Sequence, residues 1–197
     1  MRAARPAGAA RRLQQPRRSG ADDRIRGFPP VAAPDACVLV LGSMPSVASL
    51  AAGRYYAHSR NAFWPLMTKL LAIGDDSPYE ARLAAMREAG IALWDVLHSC
   101  RREGSLDTAI EEEEANDFAA FLAGHRRIRT VLFNGAKAEA AFRGHVLASG
   151  LAGGLALRRL PSTSPANASW SFARKLSAWR EALEEAGANI DTLGGRP

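Results

Sequence analysis

The stretch Val38–Trp64 reads VLVLGSMPSVASLAAGRYYAHSRNAFW, and its reading decides the fold. Cys37 to Leu41 form an unbroken apolar run that stops at Gly42-Ser43 and Pro45. Such a run, without polar alternation, marks a strand buried on both faces, the kind found inside parallel sheets. Two tyrosines follow, Tyr55 and Tyr56, then His58, Arg60 and Asn61, before Phe63-Trp64 opens a helical pattern. Aromatic, basic and amide groups therefore crowd just beyond a strand's carboxyl end. In open α/β sheets, that is where ligands bind.

Working outward, strand and helix patterns alternate. Asn61 to Ala72 carries apolar residues at helical spacing; Pro65 suits a first turn, so the helix starts near 62–64 with Asn61 as a possible N-cap. After the turn Asp75-Asp76-Ser77-Pro78, Tyr79 to Ala89 reads as an amphipathic helix stopped by Gly90, and Ile91 to Leu97 as a second strand. Ser99 to Asp107 reads as a polar loop, Glu111 to Glu114 as a solvated face, and Asp117 to Gly124 as a helix. A third strand, Thr130 to Phe133, ends at Asn134-Gly135 and leads into a helix over Ala136–Leu147. Leu155 to Leu160 is the fourth strand, ending in Pro161 to Asn167. Ser169 to Ala186 closes the pattern as a helix whose Trp170, Phe172, Leu176, Trp179 and Leu183 form a core-facing stripe.

Four strands alternating with helices predict a three-layer α/β/α fold around a central four-stranded parallel sheet. One folded domain is expected over 34–190, with 1–33 a disordered arm and 191–197 a flexible tail. At 47% apolar and 23% charged, the composition is that of a globular domain. No apolar run approaches the roughly 18 residues that cross a bilayer, so no membrane contact is expected. The two cysteines, Cys37 and Cys100, sit in apolar surroundings and read as buried thiols; they are too few for a structural zinc or a four-cysteine cluster.

Charge is unevenly placed. Residues 1–30 hold eight arginines against Asp22 and Asp23, so the whole formal net charge of +6 belongs to them and 31–197 is formally neutral. An Arg/Pro/Gly/Ala segment buries too little apolar surface to order itself. It reads either as a solubilising start or as a phosphate-binding arm with a salt-dependent effect on DNA affinity.

In the predicted sheet, three loops share one rim: Gly42 to Ser46, Asn134-Gly135, and Pro161 to Asn167. The first strand is followed by neither G-x-G-x-x-G nor a P-loop, and no G-x-S-x-G elbow is present. No cluster of His, Cys and carboxylates has metal spacing, so neither metal nor cofactor is expected. Asp95 looks buried near a strand end, and reads as an ordinary loop residue more readily than as a general base.

GSMPS at 42–46, RYYAHSRNAFW at 54–64, LFNG at 132–135 and LPSTSPAN at 160–167 together resemble the uracil-DNA glycosylase superfamily, and within it the deoxyinosine (hypoxanthine) branch. The resemblance covers about residues 36–180. It implies a metal-free enzyme that acts on a base flipped out of DNA. The related mismatch-specific enzymes carry a Gly-x-Asn-Pro-Gly motif, and this chain has Met44 where they have the asparagine. A thioether cannot orient water. The Arg-Asn-x-Phe-Trp segment of the deoxyinosine branch puts the catalytic amide at Asn61 instead.

The same resemblance makes Tyr56 the stacking aromatic, the Gly42-Ser43-Met44 backbone a cradle for base oxygen, and Asn134 a reader of the base edge. It makes Ser162 to Asn167 the loop that holds the duplex open, with Ser162, Thr163, Ser164 and Asn167 on DNA and Ser46 beside them. His58 is a candidate donor to the leaving base or a phosphate, and Arg60 a candidate phosphate contact. No lysine is expected near the motifs: Lys69 falls on a helix, and Lys137 and Lys175 at a distance. The implied activity is therefore simple hydrolysis that leaves an abasic site. The expected partner is DNA containing deaminated bases, met by a monomer in the cytoplasm, at the nucleoid if the source is bacterial. Three alternatives stay open: a uracil or mismatch-specific glycosylase, an inactive DNA-binding module of the same fold, and an acyl hydrolase using Ser43 with His58.

Overall fold

A computed structural model describes residues 24–150 and 153–190, so residues 1–23 of the expected arm and the tail from 191 lie outside the described residues. The elements, in chain order, begin with strands Ile25–Arg26 (β1) and Val38–Gly42 (β2), then helices Val47–Ala52 (α1), Phe63–Leu70 (α2) and Tyr79–Glu88 (α3). Strands Ile91–Asp95 (β3), Leu97–Arg102 (β4) and Ile110–Ala115 (β5) follow, with a 3-10 turn at Asp107–Ala109 between the last two. Helix Phe118–Gly124 (α4), strand Thr130–Asn134 (β6), helix Ala136–His145 (α5), strand Ala156–Leu160 (β7) and helix Phe172–Glu185 (α6) complete the order.

The expected parallel sheet is present, in the order β3-β2-β6-β7. Every residue of β2 is buried, as an unbroken apolar run requires. Its side chains divide the core by alternation. Val38 and Val40 face a layer built by α2, α3 and α6, with Phe63, Leu66, Met67, Met86 and Trp179. Leu39 and Leu41 face a layer built by α4 and α5, with Phe118, Phe121, Phe133 and Phe142. Both sheet edges are covered. Val31 pairs antiparallel with Leu93 outside β3. Arg158 and Arg159 of β7 ion-pair with Glu181, Glu185 and Glu139 of the flanking helices.

Four expectations are corrected. Ser99 to Asp107 is not all loop: β4 continues from β3 and pairs with β1 and β5 in a second, antiparallel sheet. Glu111 to Glu114 lies in β5 and is more than a solvated face, since Glu112 and Glu114 ion-pair with Arg24, Glu112 with Arg101 and Glu113 with Lys137, while Glu113 also hydrogen-bonds His145. The fold also begins earlier than residue 34, because Ile25 and Arg26 pair with Cys100 and Ser99. Finally, the last helix starts at Phe172, where the Ser171 hydroxyl caps the Arg174 N–H. That start leaves Phe172 exposed and puts Trp170 against the Arg174 guanidinium, so of the expected stripe Trp179 and Leu183 are buried, with Leu176 packed beside them. None of the described helices is long and apolar enough to cross a membrane.

Gly135 fixes how β6 turns into α5. Its φ of +104° is unfavourable for residues with a Cβ, and a Cβ there would sit 2.9 Å from that of Ser162. Gly135→Ala is therefore expected to lower unfolding free energy by about 1–3 kcal/mol in a urea titration. An unchanged midpoint would show that the junction tolerates a side chain.

Candidate active site

Parallel register carries β2, β3 and β6 to a common rim: Gly42 lies opposite Asp95, and Leu41 opposite Phe133. Beyond that rim lies a cavity of about 420 Å³, large enough for one nucleobase with its sugar. Gly42, Ser43, Met44, Ser46, Tyr56, Asn61, Asn134, Ser162, Thr163, Ser164 and Asn167 all line it. His58 does not; it lines a neighbouring hollow of about 740 Å³ that shares Tyr56 and Asn61. Arg60 is exposed and lines neither, its N–H donating to His58 Nδ1 at 3.1 Å.

The walls are tied together by one amide. Asn134 Oδ1 accepts the Thr163 N–H at 2.8 Å, while its Nδ2 donates to Thr163 Oγ1 at 2.8 Å and to Tyr56 Oη at 3.0 Å. A backbone N–H on Oδ1 fixes which way the amide points, and both Nδ2 hydrogens are then used. Asn134 keeps one lone pair for any ligand. Thr163 is 1% exposed, and its carbonyl accepts from the Ala62 N–H at 3.0 Å. It is a strut inside the wall, which removes it from the expected phosphate contacts.

Tyr56 reaches the cavity through a left-handed backbone, φ 53°, and stacks on Phe63 with centroids 3.9 Å apart. Burial, with Asp95 nearby, drives its phenol pKa far above the ordinary value against the lowering effect of the Asn134 bond, so it stays protonated. Asn61 sits just ahead of α2, and its Oδ1 accepts the Phe63 N–H at 3.0 Å. The expected N-cap is not Asn61: Ala62 holds that position without a side-chain cap, and the Asn61 bond closes a local turn just ahead of it, leaving both Nδ2 hydrogens without a protein acceptor among the described residues. Met44 is buried against Leu97 and the second core layer.

Ser43 Oγ donates to Asp107 Oδ1 at 2.6 Å, and His58 lines the other hollow, so Ser43 and His58 form no pair for acyl transfer. The loop hydroxyls mostly serve the loops themselves. Ser46 Oγ caps α1 by accepting the Ser49 N–H, Ser162 Oγ accepts from the Ser164 N–H at 3.2 Å, and Ser164 Oγ accepts from the Ala166 N–H at 3.3 Å. Asn167 Nδ2 donates to the Ser162 carbonyl at 3.0 Å, and the Asn167 carbonyl accepts from buried Lys175 at 2.9 Å.

Sequence reading underrates three residues. Asp95 lies in the cavity wall, 3% exposed, and its Oδ2 has no hydrogen-bond partner among the described residues. Burial first, then the charge of Asp107, raises its pKa to about 7, with Arg102 pulling the other way. Asp107 lies at the mouth with Ser105, Leu106 and Thr108. Lys137, expected at a distance, also lines the cavity, with its amine engaged by Glu113. A signal for Asp95 is present in the sequence: Ile91–Asp95 ends on its polar residue at the same rim as Gly42 and Asn134.

The chain is similar to known proteins in sequence and in fold. Residues 29–186 match the Uracil DNA glycosylase superfamily. A protein of Methanosarcina barkeri named hypoxanthine DNA glycosylase is 37% identical over 165 residues, 81% of this chain and 98% of its own. One of the same name from Methanosarcina acetivorans is 38% identical over 160 residues, 78% of this chain and 94% of its own. A solution NMR structure of a Methanosarcina acetivorans protein, described as a candidate uracil DNA glycosylase, superposes with a TM-score of 0.70 at 34% identity, covering 83% of this chain and 98% of that one. A match of this length, on a chain folded in this way, makes it a member of the uracil DNA glycosylase superfamily.

Proposed function

We propose that the chain is a monofunctional DNA glycosylase that releases hypoxanthine from deoxyinosine and leaves an abasic site. The observation that carries the reading is the wall of the 420 Å³ cavity, where position 44 supplies a buried thioether and Asn61 supplies the amide with unused donors. The two relatives named for hypoxanthine align over nearly their whole length and support the choice of base.

Hydrolysis breaks the C1′–N9 bond, its electron pair passing to the base, and joins a water oxygen to C1′. The sugar becomes cationic on the way, so positioned dipoles do much of the work. Asn61 offers its Nδ2 hydrogens to the base or the attacking water. Tyr56 and the Gly42–Met44 backbone hold the flipped base, and the Ser162–Asn167 loop, with Ser46, meets the strand. Asn134 has one lone pair for the base and mainly holds Tyr56 and Thr163 in place. His58 and Arg60, outside the cavity, suit the flanking phosphates. Extruding a base costs a few kcal/mol, least where pairing is already poor, and that favours deaminated bases.

A lyase step needs a free amine. Lys137 is near enough to raise the question, but Glu113 engages it. Burial alone would raise the Glu113 pKa, yet hydrogen bonds from Lys137 and His145 outweigh this and hold it below the usual carboxylate range. The amine is thus held in an ion pair with Glu113 and is not free in the structure. The enzyme acts as a monomer on cytoplasmic DNA.

The direct assay incubates the protein with matched duplexes carrying deoxyinosine, deoxyuridine or no lesion, then applies alkali to cut abasic sites. Cutting is expected at deoxyinosine only after alkali. Cleavage confined to deoxyuridine would make the chain a uracil enzyme, and none on any duplex would make it a binding module. Asn61→Asp separates chemistry from the local turn, because it keeps the oxygen that accepts from Phe63 and removes the donors. Its single-turnover rate should fall at least about 100-fold with little change in melting temperature; near-native activity would reduce Asn61 to a residue that only shapes the turn ahead of α2. Finally, residues 1–23 contain six arginines and two aspartates. Removing them is expected to flatten the dependence of log K on log salt by about 0.9 for each phosphate that the arm neutralises, read by fluorescence anisotropy. An unchanged slope would assign the arm no part in binding.

A further inference from the structure

One cavity group has no part in the hydrolysis assigned to Asn61 and Tyr56, and its surroundings are unlike those of an ordinary structural carboxylate. Asp95 ends β3 at the cavity wall, its backbone carbonyl held by Asn116 Nδ2 at 2.9 Å, its side chain 3% exposed and Oδ2 without a partner among the described residues. The side chain also has room made for it. A Cβ on Gly42, the residue opposite in the sheet, would lie 2.1 Å from Asp95 Oδ1 and 3.1 Å from Tyr56 Oη, so only glycine leaves that space open. A carboxylate serving stability would be expected to accept hydrogen bonds from its neighbours.

We propose that Asp95 is the catalytic acid of the reaction, donating its proton to N7 of the leaving hypoxanthine. The proposal rests on the reading of this cavity as the hypoxanthine pocket. The steps balance without a further reactant. The Asp95 O–H bond breaks and its proton joins N7; the C1′–N9 pair passes to the base, which leaves as neutral hypoxanthine with its hydrogen on N7. Water oxygen bonds to C1′, a water proton goes to solvent, and Asp95 is reprotonated from solvent. Without that proton the base would leave as an anion. General acids in such positions contribute about 10²–10⁴-fold.

Other groups around the cavity are less suited. Asn61, Asn134 and Thr163 are neutral, and Asp107 is exposed and accepts from Ser43. The ionisable groups facing Asp95 come from every neighbouring element. Asp107 of the 3-10 turn favours its protonated form and Arg102 of β4 opposes it, though Arg102 is occupied by the carbonyls of Pro45 and Gly104. Tyr55 and Tyr56 remain phenols, and Lys137 at the start of α5 is paired with Glu113. Burial raises the Asp95 pKa to about 7, which keeps an acid available at neutral pH.

The test measures single-turnover release from deoxyinosine duplex between pH 5.5 and 9. Wild-type rate should be level below about pH 7 and fall tenfold per unit above it, as the protonated fraction falls. Asp95→Asn should be at least about 50-fold slower at pH 6, with a flat profile and a duplex affinity within about threefold of wild type. The sign for stability is checked in parallel. A raised folded pKa means the native state holds a proton the unfolded chain releases, so stability present at low pH is lost as pH rises from about 4 through about 7. Asp95→Asn, which mimics the neutral acid, should melt no lower than wild type at pH 8. A duplex carrying 7-deazadeoxyinosine, which lacks the N7 acceptor, provides a measurement independent of any variant. Wild type should release its base at least about 100-fold more slowly than hypoxanthine. Release at a similar rate, or Asp95→Asn retaining either the rate or the fall above pH 7, overturns the acid role alone. Failure of wild type to release hypoxanthine overturns the parent reading with it.

Discussion

The rim of this protein depends on the paired hydrogen bonds between Asn134 and Thr163. Asn134 ends β6 and Thr163 follows β7, and the loop that carries Thr163 has no regular structure to hold it. Asn134 Oδ1 takes the Thr163 N–H, Nδ2 returns a bond to Thr163 Oγ1, and the second Nδ2 hydrogen reaches Tyr56 Oη. Thr163 passes the connection on through its carbonyl to Ala62, next to Asn61. Three stretches far apart in sequence are thereby fixed to one another beside the cavity. In a dry wall such bonds are stronger than in water, and losing one member leaves the others buried and unsatisfied.

Amide accounting then separates two asparagines that look alike in sequence. Asn134 uses both hydrogens and one lone pair on its own protein, whereas Asn61 uses one lone pair on the Phe63 N–H. Asn61 keeps two donors for whatever enters. It is also held rigidly, since its own N–H donates to the His58 carbonyl and its oxygen is fixed at the start of α2. Positioning with unused valence is what a group aimed at a developing charge requires.

Much of this was legible in the sequence, and what was not has a physical explanation. The buried run before Gly42 placed the central strand, and the small polar residues after each parallel strand placed the rim. The second sheet was hidden because β4 and β5 carry hydrophilic sequences, SCRR and EEEE, with no local apolar pattern. Their pairing draws on Arg24, which reaches Ser99 at 2.8 Å and Glu112 at 3.4 Å from across more than seventy positions of chain. Local periodicity cannot report a partner so distant. Thr163 failed as a surface contact for a related reason: its hydroxyl reads as polar and exposed until Asn134 satisfies it inside the wall.

Asp95 shows where such reading stops. The sequence displays a carboxylate at the end of an apolar strand, but its chemistry depends on the absence of a side chain at Gly42 and of any donor to Oδ2 among the described residues. A buried acceptor without a partner opposes folding by about 1–3 kcal/mol, and more when charged. Asparagine there would remove the charge at nearly the same volume, so the acid is not explained by packing. The carboxyl that carries this unsatisfied oxygen lies in the wall of the cavity proposed to hold the leaving base. Local inconsistencies of this kind belong where function outweighs stability.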